Sequence, residues 1–151
     1  MKILSIVLII ILSGCTLNAD QEASLNDAMV SYVNSKNNGV VMSYVAFTHP
    51  NSVAYYKAKG DSVFKAKFDL SNSEYDPFLQ DGNIREIQTK GNVIAVKYNF
   101  LNVSGGFLEE QVEEVAIFAM SEDGGETWFF IDEGDYFNDD IISRENRLIT
   151  Q

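Results

Sequence analysis

The sequence predicts an α+β fold on three observations: apolar residues recur at helical spacing up to about residue 70, they alternate beyond about residue 82, and short turns rich in Gly and Asn separate the alternating runs. Helices first and strands afterwards is the order of a sheet that buries one face against its helices. No fixed-period repeat, proline-rich linker or low-complexity tract divides the chain, so a single domain is expected.

The first element is not part of that domain. Met1-Lys2 gives a positive start, Ile3 to Leu12 is an apolar run, and Leu12-Ser13-Gly14-Cys15 closes it with small residues and the only cysteine of the chain. A membrane-crossing helix needs about 20 apolar residues, so the run is too short to span a bilayer. Its order of charge, apolar segment and small residues is that of a secretory signal peptide. Residues 1–14 are therefore expected to be removed, residues 15–21 to form a short polar tether, and residues 22–151 to form the domain.

Within the domain, Leu25, Ala28, Met29, Tyr32 and Val33 lie on one helical face, and Asn37-Asn38-Gly39 ends that helix. A second helical face of Val40, Val41, Tyr44, Val45 and Thr48 runs until Pro50, which cannot continue the hydrogen-bond ladder. Asn51 to Tyr56 reads as one more helical turn. Asp61 to Leu70 fits helix or strand and is assigned to helix. Ser71 to Gly82 reads as a loop. Ile84, Ile87 and then Val93, Val96, Tyr98, Phe100 and Val103 form a hairpin about Lys90-Gly91-Asn92. A third strand is expected from about Phe107 to Met120 and a fourth from about Thr127 to Asp132, joined at Asp123-Gly124-Gly125. The whole stretch after Tyr75 is read as an antiparallel meander.

Two resemblances enter at this point. Leu12-Ser13-Gly14-Cys15 resembles the lipobox of bacterial lipoproteins, which implies a thioether from Cys15 to diacylglycerol and an added acyl chain such as palmitate. The expected location is then the cell envelope, with the lipid bilayer as a partner through acylated Cys15. Thr16 lacks the aspartate that retains such proteins at the inner membrane. That implies the cell outer membrane, reached through the periplasm and on either leaflet, in a diderm host and the outer face of the cytoplasmic membrane otherwise. The element order, with Thr48-His49-Pro50 after the second helix and Ser121-Glu122-Asp123-Gly124-Gly125-Glu126-Thr127-Trp128-Phe129-Phe130-Ile131-Asp132 near the end, is similar to the nuclear-transport-factor-two-like superfamily. That resemblance implies helices on a curved antiparallel sheet enclosing a cone. It also implies, for the superfamily's enzymes, an Asp with a Tyr or His at the cone floor, although no such set maps onto this chain position by position.

The formal net charge is −11, and loss of Lys2 with the signal makes it one unit more negative. Such a field repels phosphate backbones, which argues against nucleic acid as a partner and leaves an envelope protein or a small molecule. Once Cys15 is consumed no thiol remains for catalysis, disulfide formation or metal binding. No cofactor is implied.

Candidate site residues follow from chemistry. His49 is the only histidine, so any serine triad, His–Asp dyad or histidine metal site must use it; capping the preceding helix or packing in the turn is its plainer role. Tyr44, Tyr55 and Tyr56 are near it in sequence and suit either a pocket wall or the core. Ser121, Asp123, Gly125, Thr127 and Trp128 also satisfy S-x-D-x-G-x-T-W and so resemble the Asp-box of sialidase propeller blades. One box after a helical half cannot build a propeller, so Asp123, Gly124, Gly125 and Trp128 are assigned to a structural turn, with a glycan contact through Trp128 as the functional alternative. No lysine or arginine occurs between Tyr98 and Ser143, while acids gather there. Asp132, Asp135, Asp139 and Asp140 are candidate oxygen ligands for calcium, although their spacing is not that of an EF-hand. Glu109-Glu110 and Glu113-Glu114 offer paired carboxylates. A solvated acidic face is the simpler account of both sets. The expected function is a non-catalytic binding or assembly module of the envelope. The alternatives are an isomerase- or hydrolase-type enzyme with a cone pocket using His49 or a Tyr/Asp pair, and a calcium-dependent surface adhesin.

Overall fold

The computed structural model describes residues 15–69, 78–105 and 110–151. Helix α1 spans Ala19–Asn37 and starts on a reciprocal cap. The Gln21 N–H donates to Asn18 Oδ1 at 2.9 Å, and the Asn18 N–H donates to Gln21 Oε1 at 2.9 Å. This cap corrects the expected tether. Residues Ala19 to Gln21 are already the first turn of α1, and Leu17 is packed into the core. Leu25, Met29 and Tyr32 are buried on the expected face of α1, with Ala28 and Val33 packed beside them.

Gly39, at φ +68°, turns the chain into α2, Val41–Phe47. Thr48 is extended, and its hydroxyl donates back to the Tyr44 carbonyl at 2.8 Å. Helix α3, Pro50–Ala58, follows, and is longer than the single turn expected because Pro50 occupies its first turn, where a missing N–H costs nothing. Helix α4, Asp61–Phe68, makes the ambiguous segment helical as far as Phe68; Asp69 is extended and Leu70 lies outside the described residues.

The sheet is an antiparallel meander ordered β1-β2-β3-β4, comprising Phe78–Lys90, Val93–Ser104, Gln111–Ser121 and Phe129–Asp132. The expected loop to Gly82 needs correction from Phe78 onward, where β1 has already begun; the part from residue 71 to residue 77 lies outside the described residues. The pairing of β1 with β2 shifts register between Gln80 and Asn83 and again between Ile84 and Glu86. These bulges break the alternation that marks a strand in sequence, and they bend the strand. At the bend Asp81 takes φ 51°, and a Cβ on Gly82 would lie 2.6 Å from Phe100 Cζ. Asn37 ties the end of α1 to β1, donating to the Leu79 carbonyl and accepting from its N–H, both at 2.9 Å. The start expected for the third strand near Phe107 lies outside the described residues, as does Glu109; β3 is formed from Gln111.

The sheet is covered on both sides. Ile94, Val96, Tyr98 and Phe100 of β2, Ile117 and Ala119 of β3 and Phe130 of β4 join Leu25, Met29, Tyr32, Tyr44 and Phe68 in one core. The alternate residues Ala95, Phe118, Met120 and Ile131 join a second core with Tyr136, Ile141, Ile142 and Ile149. Here the expected meander to the end of the chain is overturned. After β4 the chain forms α5, Glu133–Tyr136, and a 3-10 turn at Arg144–Asn146, and its last residues strap the outer face of the sheet. Tyr136 stacks on Phe118 with centroids 3.9 Å apart, and its hydroxyl accepts from the Ile149 N–H at 3.1 Å. Arg147 closes the strap, donating to the Tyr136 and Ile142 carbonyls at 2.8 and 2.6 Å and to Asp139 at 2.6 Å.

Candidate functional site

Two places gather polar side chains. The first lies where α3, α4 and α5 meet at the end of β4. Asp135 is 4% exposed, and its carboxylate accepts from the Ser52 and Tyr56 hydroxyls, the latter at 2.7 Å. Lys67 Nζ stands 3.1 Å from Asp135 and 2.5 Å from Asp132, and lies 4.9 Å over the Tyr56 ring. Asp132 caps α5 by accepting the Asp135 N–H at 2.9 Å. Burial alone would lower the Lys67 pKa, but the two carboxylates outweigh it and raise the pKa above the ordinary lysine value. Burial and the bond to Asp135 raise the Tyr56 pKa. The Lys67 ammonium and the Ser52 and Tyr56 hydroxyls thus converge on the Asp135 carboxylate.

The neighbouring helix–sheet interior is packed with rings, and beside it a cavity of about 310 Å³ runs between Lys36, Leu79, Glu113, Ile117 and Asp132. Tyr32 stacks on Phe130 at 4.7 Å, lies 5.4 Å from Tyr44, and Tyr44 lies 5.8 Å from Phe68. Burial, then the proximity of Tyr44, drives the Tyr32 pKa well up; burial likewise raises Tyr44. Tyr44 is thus a core residue. Tyr56 serves the Asp135 cluster, and Tyr55 packs edge-on against Tyr56 at 5.2 Å with Lys59 over its face.

The four calcium candidates are not brought to one point. Asp132 and Asp135 are engaged by Lys67, Asp139 pairs with Arg147 at 2.6 Å and with Arg144 at 2.9 Å, and Asp140 is exposed. Among the described residues no three His, Cys, Asp or Glu side chains are grouped to hold a metal ion. Glu110, Glu113 and Glu114 are exposed, and Glu114 accepts from the Asn99 amide, so the described glutamates are not enclosed as a pair.

The second place is around His49. Its expected role as a cap of the preceding helix is corrected: Nδ1 accepts the Asn51 N–H at 3.2 Å, so His49 is the N-cap of the helix that follows. His49 is 5% exposed, its ring sits edge-on to Phe129 at 6.4 Å, and its backbone N–H donates to the Phe130 carbonyl at 2.8 Å. Burial lowers the His49 pKa, partly offset by Glu122. With Nδ1 accepting, the neutral ring carries its proton on Nε2. Two adjoining cavities share His49, Asn51, Met120 and Glu122. One, of about 300 Å³, runs under the C-terminal strap to Lys90 and Glu145; the other, of about 450 Å³, runs along the β3–β4 turn to Thr127 and Phe129. The strap, which the sequence reading took for strand, is what roofs the first.

The β3–β4 turn walls the second cavity. Asp123 Oδ1 accepts from the Ser121 hydroxyl at 2.8 Å and from the Thr127 and Glu126 N–H groups at 2.9 and 3.1 Å. The Thr127 bonds foremost hold its carboxyl down at about 2. Gly124 and Gly125, at φ 80° and 94°, take backbone conformations that other residues rarely adopt. Trp128 is 3% exposed and donates to the Gly125 carbonyl at 3.1 Å, so the alternative of a glycan stacked on its face is corrected: the ring is packed beneath the turn. This turn, the β1–β2 turn and the start of α1 share one end of the molecule. Gln21 donates to the Gly124 carbonyl at 2.8 Å, the Gly124 N–H donates to the Asn92 carbonyl at 2.8 Å, and Cys15 Sγ lies 3.6 Å from Thr89 Oγ1. Compared with models of protein families, with curated proteins and with solved structures, the chain shows no significant match.

Proposed function

We propose that this chain is a lipid-anchored protein of the bacterial cell envelope whose folded part, an α+β domain of the nuclear-transport-factor-two-like kind, is a non-catalytic binding or assembly module. The observation that carries the non-catalytic reading is the state of the helix–sheet interior. A cone-pocket enzyme needs an accessible acid or base there. In this chain the rings of Tyr32, Tyr44 and Phe130 pack against one another there, the Asp135 carboxylate is bonded to Ser52, Tyr56 and Lys67, and the adjoining cavity of about 310 Å³ reaches Asp132 but not Asp135. The bulged first strand and the helices laid on one face of the meander support the superfamily reading.

The anchor rests on Leu12-Ser13-Gly14-Cys15, the lone thiol at the position where acylation requires one. No helix of the described residues is long and apolar enough to cross a membrane. Two or more acyl chains, each buried methylene contributing about 0.8 kcal/mol, suffice for stable attachment where one short chain does not. Because Leu17 is packed in the core, such an anchor would hold the end of the domain bearing the β1–β2 and β3–β4 turns against the bilayer. The test is Cys15→Ser in the full chain, followed by labelling with an alkyne analogue of palmitate and membrane fractionation. The wild type should take up label and sediment with membranes, and the variant should remain unlabelled and either unprocessed or released. A processed variant retained on membranes as well as the wild type refutes the anchor.

A further inference from the structure

The His49 cavity combines three features that together select a ligand. Its floor is apolar, formed by buried Met120 and Ile142 with half-buried Val93 and Leu148. Its rim carries exposed charges of both signs, Lys90 against Glu122 and Glu145, and none of these enters an ion pair among the described residues. Between floor and rim stands His49, whose Nδ1 is taken by the Asn51 N–H and whose Nε2–H remains a donor.

A simple anion at this rim would meet two carboxylates, and a simple cation would meet the lysine. A molecule carrying one ammonium and one carboxylate pairs with both kinds of charge. About 300 Å³ is at the small end of ligand sites and holds one amino-acid residue with a medium side chain. The second cavity, reached past His49 and sharing Glu122, gives room for chain beyond that residue.

We propose that this cavity binds a short zwitterionic peptide with an apolar side chain, its carboxylate at Lys90, its ammonium at Glu122 or Glu145 and its side chain on Met120 and Ile142. The proposal rests on the binding-module reading and names the ligand class of that module.

The experiment is calorimetric titration of the full-length wild-type protein with the dipeptide Leu-Leu, its N-acetylated form and its C-terminal amide, with the His49 imidazole resonance followed in parallel. Leu-Leu should bind and shift the His49 resonance, and blocking either end should weaken binding about five-fold or more. Lys90→Ala should make the protein indifferent to amidation, and Glu122→Gln should reduce its sensitivity to acetylation. Both residues are exposed, so both variants should fold. Absence of heat and of a His49 shift at millimolar Leu-Leu overturns the proposal, and so does equal affinity for the free and blocked peptides, which would mark a merely apolar cleft. Release of free leucine overturns the non-catalytic reading instead, and is told apart because it consumes the peptide.

Discussion

Lys67→Met tests the interior cluster most directly, because methionine keeps the apolar stem and removes only the ammonium. Removing one partner of a buried ion pair costs about 3–5 kcal/mol, most of it from the uncompensated charge left behind. Three features set the value here. The Asp135 side chain is 6% exposed, so its charge has little water to turn to. Lys67 is itself 21% exposed, and Asp135 keeps two hydroxyl donors, Ser52 and Tyr56, which lowers the loss. Asp132 is 41% exposed and adds little beyond its capping bond. The expected cost is therefore about 2–3 kcal/mol, or a fall in Tm of about 5–10 °C for a domain of this size. Urea and thermal unfolding of the wild type, K67M, D135N and K67M/D135N measure it. The double variant should recover much of the loss, because Asn at 135 needs no countercharge. The pKa of Lys67 is raised on folding, so the contribution should be constant at neutral pH and decline only above about 10.4, the unfolded lysine value. A K67M loss below about 1 kcal/mol, or one that D135N does not relieve, refutes the account of Asp135 as a buried carboxylate held by the Lys67 charge.

Two further outcomes follow from the geometry. Burial lowers the His49 pKa, so its contribution is present above about 6.5 and is lost as pH falls from there through the depressed folded value, where protonation of Nδ1 also ends the cap on α3; unfolding at pH 7 and pH 5 should show the loss, and His49→Asn, which retains a capping acceptor, should flatten it. Gly82→Ala should cost about 1–3 kcal/mol in urea unfolding, since the new methyl would press on the 4%-exposed Phe100 ring, and a neutral result would show that the β1 bend is looser than described.

The sequence carried the helices well because their boundaries use local chemistry: Asn37-Asn38-Gly39 and Thr48-His49-Pro50 act where they stand. The order of the strands from Ile84 to Asp132 was legible for the same reason, through alternation and the Lys90-Gly91-Asn92 and Asp123-Gly124-Gly125 turns. What stayed hidden depends on contacts between distant segments. The start of β1 was hidden by a bulge that spoils period two. The strap was hidden because Tyr136, Ile141, Ile142 and Ile149 have no regular period; their partner is the outer face of the sheet. A signal for it was present: Ile117-Phe118-Ala119-Met120 and Phe129-Phe130-Ile131 are apolar without alternation, which marks a strand covered on both faces. The Asp135 cluster joins Ser52, Tyr56 and Lys67 across 68 or more positions, and no local spacing announces it.

That second cover also shapes the proposed binding cavity. On the helix-covered face the polar groups of the Asp135 cluster bond to one another and the rings of Tyr32, Tyr44, Phe68 and Phe130 pack together. Laying residues 133–151 across the other face creates a new edge, and at that edge Lys90, Glu122 and Glu145 stand above an apolar floor, with no ion-pair partner among the described residues. Exposed charges beside an apolar floor are the ingredients of recognition. A short N-terminal anchor would place that edge near the bilayer, where a ligand would be met at the membrane surface rather than in the open solvent.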